Sequence, residues 1–154
     1  MKPIALCSLV LLALVSLGHA RQKSSTPDNI SGMYSFLQEG EFVQIDVEEG
    51  NRLTGFVSRL GDTESDKGAV LDHMFQEADL KGDQLHFKTK SLHGIWYEFF
   101  GKVEQNNSKM PSQEGFHILK GKLFQYVDNG LDKPSGKSRE VTLKSFPMDD
   151  IVKK

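Results

Sequence analysis

Cysteine is nearly missing from this chain of 154 residues, and its scarcity excludes several kinds of protein. The one cysteine, Cys7, lies inside an apolar stretch near the N-terminus. The rest of the chain therefore has no disulfide, no cysteine metal site and no thiol nucleophile. Small exported domains often depend on disulfides, so we expect this one to rely on a hydrophobic core instead.

A strong excess of charge is also lacking. The chain has 19 Lys and Arg against 21 Asp and Glu, a formal net charge of −2. This balance argues against nucleic acid as a partner, because that function needs a basic surface. The C-terminal pair Lys153-Lys154 is too short to form a basic arm.

A long hydrophobic run occurs only at the N-terminus. Ile4 to Leu17 is apolar, Lys2 precedes it, and Gly18-His19-Ala20 places small residues before a cleavage point. The run is shorter than the roughly 20 apolar residues that cross a bilayer. We therefore expect a signal peptide over 1–20, a secreted or periplasmic protein, and no membrane span after signal removal. We divide the remainder into a flexible leader over 21–30, one β-barrel domain over 31–147 and a tail over 148–154.

Short runs of alternating polarity follow, separated by turn residues. In Glu41 to Glu48, three apolar residues (Val43, Ile45 and Val47) alternate with polar ones, which predicts a half-buried strand. Glu49-Gly50-Asn51 then predicts a hairpin turn. The eight predicted strands cover 33–37, 41–48, 52–60, 77–80, 84–90, 94–105, 115–127 and 139–146.

One segment has a helical period instead. It follows the polar loop "GDTESDKG", in which Asp66 is placed to cap a helix. This predicts a short helix over 67–76, between strands three and four, which packs its apolar side on the sheet. The apolar residues at helical spacing are Val70, Leu71, Met74, Phe75 and Ala78.

The predicted fold class is all-β. Antiparallel strands that follow one another in sequence close most simply into a barrel, because closure removes the free edges of the sheet. We predict an eight-stranded antiparallel up-and-down barrel with one short helix. A β-sandwich of two sheets is the alternative.

The rhythm of these strands resembles that of small exported lipocalin-like and avidin-like barrels, and the lack of disulfides in this chain favours a bacterial source. The resemblance spans Ile30 to Val127 and implies a barrel with a ligand cavity at one end and no catalytic machinery. It does not imply biotin, haem or retinoid as ligand, because Trp96 is the single tryptophan and Tyr34 stands where lipocalins favour tryptophan. The stretches that carry it are "ISGMYSF", "VQIDVEEGNRLTGFVSRLG", "ADLKGDQLHF", "HGIWYEFFGKV" and "GFHILKGKLFQY".

No pattern of metal ligands or catalytic residues stands out. The four histidines after the signal peptide form no two-ligand motif, although His86 and His93 flank one turn and can lie close together. The acidic residues of the loop over 61–68 lack the spacing of a calcium loop, and there is no G-x-S-x-G motif. We therefore predict no catalytic residue, no metal and no cofactor.

The stretch "HGIWYEFFGKVE", His93 to Glu104, is apolar on both of its alternating faces. One face must line the interior, and the other holds Trp96, Glu98 and Phe100. The predicted helix can cover this second face; otherwise the face is an exposed aromatic patch suited to a partner or an apolar ligand. In either case Glu98 needs a cation or hydrogen-bond donors. The candidate cations are Arg52, Arg59 and Lys102.

Three functions remain open. The first is an exported non-enzymatic binding module, which holds a small apolar molecule in the barrel or presents a surface to a protein partner. The second is an interaction or inhibitor module that acts through its surface loops. The third is a hydrolase that uses Glu98 or the two histidines of one turn. The candidate ligand-binding residues are Trp96, Tyr97, Glu98, Phe100, His86 and His93.

Overall fold

A computed structural model describes residues 29–130 and 133–148. They form one sheet of eight strands in the order of the chain, and each strand pairs antiparallel with the next. The predicted all-β, up-and-down fold is therefore confirmed, while the predicted signal peptide lies outside the described residues. The strands are β1 (Gly32–Ser35), β2 (Phe42–Val47), β3 (Leu53–Leu60), β4 (Val70–Lys81), β5 (Gln84–Thr89), β6 (Ile95–Gln105), β7 (His117–Val127) and β8 (Ser135–Lys144).

The sheet curls until its first strand meets the end of its last. Tyr34 of β1 forms a bridge with Ser145, and the amide of Phe146 donates a hydrogen bond of 2.8 Å to the carbonyl of Met33. The amide of Lys144 donates to the hydroxyl of Ser35 at 3.0 Å. These contacts give the curled sheet the form of a barrel.

The interior is filled by large side chains. Tyr34, Phe87, Tyr97 and Phe99 are all buried, and the Tyr34 hydroxyl donates to the carbonyl of Ile30 at 2.7 Å. The ring of Phe87 stacks between Phe75 and Phe99, with centroid distances of 4.6 and 5.3 Å. Burying each such side chain contributes about 1.5–3 kcal/mol, so these side chains account for a large part of the stability of the fold.

The predicted helix over 67–76 is wrong, because 70–76 belong to the twelve-residue strand β4 and the residues before them lie in the preceding loop. His73 of β4 is buried, while Val70 and Met74 are exposed. Apolar residues on the outer side of the strand therefore produced a helical spacing. Asp66 does not cap a helix; it accepts hydrogen bonds within its loop and lies beside His93. Among the described residues no helix has the length and apolar character needed to cross a membrane.

Strand β8 begins at Ser135, earlier than the predicted start at 139. Its first residues pair with the end of β7, where Ser135 lies opposite Val127 and Ser138 opposite Phe124. These residues are polar or small, so their strand conformation comes from pairing with β7 and not from a local apolar pattern.

The wall of the barrel opens between β3 and β4. Their pairing runs from Leu60 opposite Val70 to Phe56 opposite Met74, after which β4 pairs with β5. A bulge between Phe75 and Glu77 marks this change of partner. The ring of Phe75 lies across Gly55 of β3, where an added Cβ would be 2.8 Å from it. Gly55 also has a φ of +153°, which favours glycine.

Candidate functional site

The outer face of β6 carries Trp96, Glu98 and Phe100. Because the predicted helix is a strand, no helix covers this face within the part of the chain that the structure describes. Phe100 is 48 % exposed. The strand pairing sets Phe100 opposite His86 of β5, and sets Trp96 and Glu98 opposite aromatic residues of β7. We call the resulting surface the aromatic face; it consists of His86, Trp96, Glu98, Phe100, Phe124 and Tyr126.

The rings of the aromatic face contact one another in a continuous row. Trp96 stacks on Tyr126 with centroids 5.2 Å apart, and Tyr126 is nearly parallel to Phe124 at 6.2 Å. Phe124 meets Phe100 edge to face at 6.1 Å, and Phe100 stacks on His86 at 4.4 Å. Each contact fixes the neighbouring ring, since aromatic pairs add about 0.5–1.5 kcal/mol beyond burial. The face is therefore ordered before any partner binds.

Glu98 finds its partners on the neighbouring strands. Its Oε1 lies 3.1 Å from Nε2 of His86, and its Oε2 accepts a hydrogen bond of 3.4 Å from the Tyr126 hydroxyl. Burial and the charge of Glu98 raise the pKa of Tyr126, which keeps that hydroxyl protonated as a donor. The predicted cations are thus not its partners: Arg52 pairs with Glu48, Arg59 with Asp62, and Lys102 with Asp83.

His86 is held between two carboxylates. Its Nδ1 lies 3.4 Å from Oδ2 of Asp79 on β4, and its Nε2 faces Glu98 on β6. A neutral imidazole has one N–H, so both carboxylates accept a hydrogen bond together only when the ring carries two protons. Asp79 also pairs with Lys81 at 2.9 Å, and hydrogen bonds from Lys81 and His86 lower the pKa of Asp79.

Small and basic residues surround the aromatic face. Lys122 places its Nζ 5.5 Å from the ring centroid of Phe124, a cation–π contact. Lys88 lies opposite Glu98 on β5. On β8, Gly136 leaves room for the Tyr126 ring, which an added Cβ would approach to 3.1 Å. An aromatic centre with a charged rim is the usual anatomy of a protein interface.

Two of the predicted site residues lie elsewhere. Tyr97 points into the barrel, where its ring packs edge to face on Phe36 at 5.4 Å. His93 precedes β6 in a turn, with its Nδ1 2.9 Å from Oδ2 of Asp66. His86 and His93 therefore contact different carboxylates and do not form a pair. Phe124 and Tyr126 were not predicted as site residues, although the alternation in "LFQYV" would place both on one face.

A polar cavity of about 160 Å³ lies at one end of the barrel. Arg59 lines it, only 5 % exposed, and donates hydrogen bonds to the Tyr97 hydroxyl at 2.6 Å and to Asp62 at 2.8 Å. Burial raises the pKa of Tyr97. Glu41 also lines the cavity and accepts a hydrogen bond of 3.2 Å from the amide of Leu60. This end of the barrel is thus occupied by charges that neutralise one another.

Comparison of the chain with protein-family models, with curated proteins and with solved structures finds no significant match. Within the described residues, no three His, Cys, Asp or Glu side chains converge as they would around a metal ion. The geometry of the aromatic face is therefore the basis for the function proposed below.

Proposed function

We propose that this protein is an exported, non-enzymatic binding module that recognises a protein partner through its aromatic face. The observation that carries the proposal is the continuous row of rings around Glu98 on the outer surface of β5, β6 and β7. Monomeric proteins rarely expose a contiguous apolar patch without a use for it. Export is inferred from the apolar N-terminal segment of the sequence.

The arrangement of the rings favours a protein over a planar ligand. Trp96 and Tyr126 stack face to face, so part of each ring face is already used. A row of aromatic rings with one acidic group suits the side chains of another protein, and Trp, Tyr and Phe are enriched at such interfaces. Lys122 and Lys88 at the rim add charges that can select the partner.

The interior offers less support for a small apolar ligand. Tyr34, Phe87 and Phe99 fill its centre, and the cavity at its end is lined by Arg59 and Glu41. Pockets for apolar ligands usually measure about 300–1,000 Å³ and are mostly hydrophobic. The cavity of about 160 Å³ is smaller and charged, and the larger groove between β3 and β4 is open to solvent and lined in part by Glu77, Asp79 and Lys90.

The proposal is non-enzymatic because the titratable groups of the face are engaged with one another. Glu98 accepts a hydrogen bond from Tyr126 and lies against His86, which in turn lies against Asp79. Stacked rings surround this chain of groups. A general base needs access to a substrate proton, and here its lone pairs face neighbouring side chains.

The direct test substitutes Phe100 by glutamate and compares capture of partners from the extracellular or periplasmic fraction of the source. Met33→Glu on β1 is the matched control, because Met33 is 44 % exposed and Phe100 is 48 % exposed. A glutamate at position 100 places a negative charge among the stacked rings. This charge would have to lose its water when the rings are buried in an interface. We expect affinity for a captured and then purified partner to fall by about ten-fold or more in Phe100→Glu.

Met33→Glu should retain the affinity of the unmodified protein, since β1 carries no part of the aromatic face. Thermal unfolding of both variants checks that each remains folded. Equal capture by Phe100→Glu and the unmodified protein would contradict the proposal, and so would an equal loss in the two variants.

A further inference from the structure

The opening between β3 and β4 brings two strand edges to face each other. Leu53–Gly55 pair with β2 on one side and, among the described residues, with no strand on the other. Within the part of the chain that the structure describes, Glu77–Lys81 of β4 pair with β5 alone. Backbone N–H and C=O groups along these edges therefore have no strand partner across the opening and depend on water.

The space between the edges is a groove of about 640 Å³. Its apolar residues are continuous with the core: Leu53 is buried there, and Phe75 and Ala78 pack against it. Thr54 and Gln76 line the sides. The groove thus combines an apolar floor with backbone groups along both walls.

An extended peptide is the ligand that suits such walls. A strand presents N–H and C=O groups that can pair with a free strand edge, and it directs alternate side chains to the floor and to solvent. A helix satisfies its own backbone groups internally, so it would leave both edges unpaired. The geometry therefore specifies the conformation of the occupant.

The charges along the groove give the occupant a direction. Glu77 lines one part of it and has no ion pair among the described residues, and Asp79 lies beside it. Lys90 lines the other part, where its amide donates to the carbonyl of Met74 at 2.8 Å. A segment with a basic residue near Glu77 and an acidic residue near Lys90 complements these charges.

The groove is continuous with the aromatic face. His86 lines the groove and also stacks on Phe100 at 4.4 Å. A partner bound on the aromatic face can therefore extend an adjoining segment into the groove, because His86 belongs to both surfaces.

We propose that the opening between β3 and β4 is a strand-addition site that accepts an extended segment of the partner protein. The segment pairs with the free edge of β4 and places its basic end at Glu77 and its acidic end at Lys90. This inference rests on the proposed function, because it defines the form in which the partner of the aromatic face binds.

The test uses a synthetic probe and measures backbone amide exchange by NMR. The probe is the blocked heptapeptide acetyl-Lys-Val-Thr-Val-Thr-Val-Glu-amide, which in an antiparallel pairing with β4 directs its basic end towards Asp79 and its acidic end towards Lys90. We expect saturating peptide to slow exchange of amides in Leu53–Gly55 and Glu77–Asp79 by about ten-fold. A peptide with proline in place of the central valine should leave exchange unchanged, because proline lacks an N–H.

The variant Glu77→Lys reverses the charge at an exposed position and leaves the fold intact. It should weaken peptide binding by about five-fold, in line with the loss of an exposed ion pair and its replacement by repulsion. The inference is overturned if no amide at the opening is slowed, if the proline peptide acts equally well, or if protection appears at β1 and β8 instead.

The two proposals fail separately. Loss of partner capture in Phe100→Glu without peptide protection at the opening would keep the aromatic face and remove the strand-addition site. Peptide protection at the opening with normal capture by Phe100→Glu would keep the strand-addition site and remove the aromatic face. Capture that is lost in both Phe100→Glu and Glu77→Lys, together with peptide protection, supports both.

Discussion

At the scale of single residues, His73 and His117 are buried without the hydrogen bonds that imidazoles usually make. Each is 1 % exposed. Neither ring nitrogen of His73 has a partner among the described residues, and Nε2 of His117 has none. His73 instead packs edge to face on Tyr97 at 5.2 Å. Burial lowers the pKa of both groups, and the charge of Arg59 lowers that of His73 further.

These histidines predict a loss of stability on acidification. Their pKa in the folded protein lies below the ordinary histidine value of 6.5, so the unfolded chain takes up protons first as the pH falls. The contribution of these histidines to the free energy of unfolding is present in full above pH 6.5. It declines as the pH falls below 6.5 and stops declining at the lowered pKa. Each histidine contributes a slope of up to about 1.4 kcal/mol per pH unit in this window.

Urea unfolding at pH 7.5, 6 and 5 measures this slope. The variant His117→Leu removes one of the two groups and should reduce the decline by the contribution of one histidine. An identical decline in the variant and the unmodified protein would contradict the assignment of His117.

Gly55 lies where β3 and β4 part. Its φ of +153° disfavours a side chain, and an added Cβ would overlap the carbonyl oxygen of Gln44 as well as the Phe75 ring. We expect Gly55→Ala to lower the free energy of unfolding by roughly 2 kcal/mol or more. Urea denaturation gives this value directly.

Gly40→Ala is the matched control, because Gly40 has a φ of +83° but nothing within 4 Å of an added Cβ. It tests backbone strain alone and should cost about 1 kcal/mol. A Gly55→Ala variant no less stable than Gly40→Ala would show that the contact with Gln44 and Phe75 has no role.

At the scale of elements, β4 joins the two parts of the barrel by changing partners midway. Its first residues pair with β3, and the residues after the Phe75–Glu77 bulge pair with β5. This exchange is not visible in a local pattern. Val70 and Met74 on the outer side and Phe75 on the inner side fall at helical spacing, although inter-strand hydrogen bonds hold the segment extended.

The sequence predicts which side chains of β6 share a face, but it does not predict which residues those side chains contact. Alternation placed Trp96, Glu98 and Phe100 on one face, and the structure agrees. The partners of Glu98 depend on register between strands far apart in sequence. His86 and Tyr126 lie beside it because β5 and β7 flank β6, whereas Arg52 and Arg59 lie on β3 or before it. Strand order was predictable, but register was not.

At the scale of the whole molecule, the filled barrel supports the outer surface to which we assign recognition of a partner. The interior rings of Phe75, Phe87 and Phe99 pack β4, β5 and β6 together. Strands β5, β6 and β7 present the aromatic face, and β4 presents the free edge at the opening. A binding surface built on strands keeps its geometry better than one built on loops. Most of the binding energy is therefore expected from preordered aromatic side chains.

Hydroxyl-radical footprinting of the protein, free and bound to its purified partner, tests recognition by the aromatic face most directly. Trp, Tyr, Phe and Met side chains all report by this reaction. We predict that oxidation of Trp96, Phe100 and Tyr126 falls by about five-fold or more on binding, while oxidation of Met33 stays unchanged. Unchanged oxidation of those three rings, with protection at Met33 or in the loop over 61–68, would contradict it.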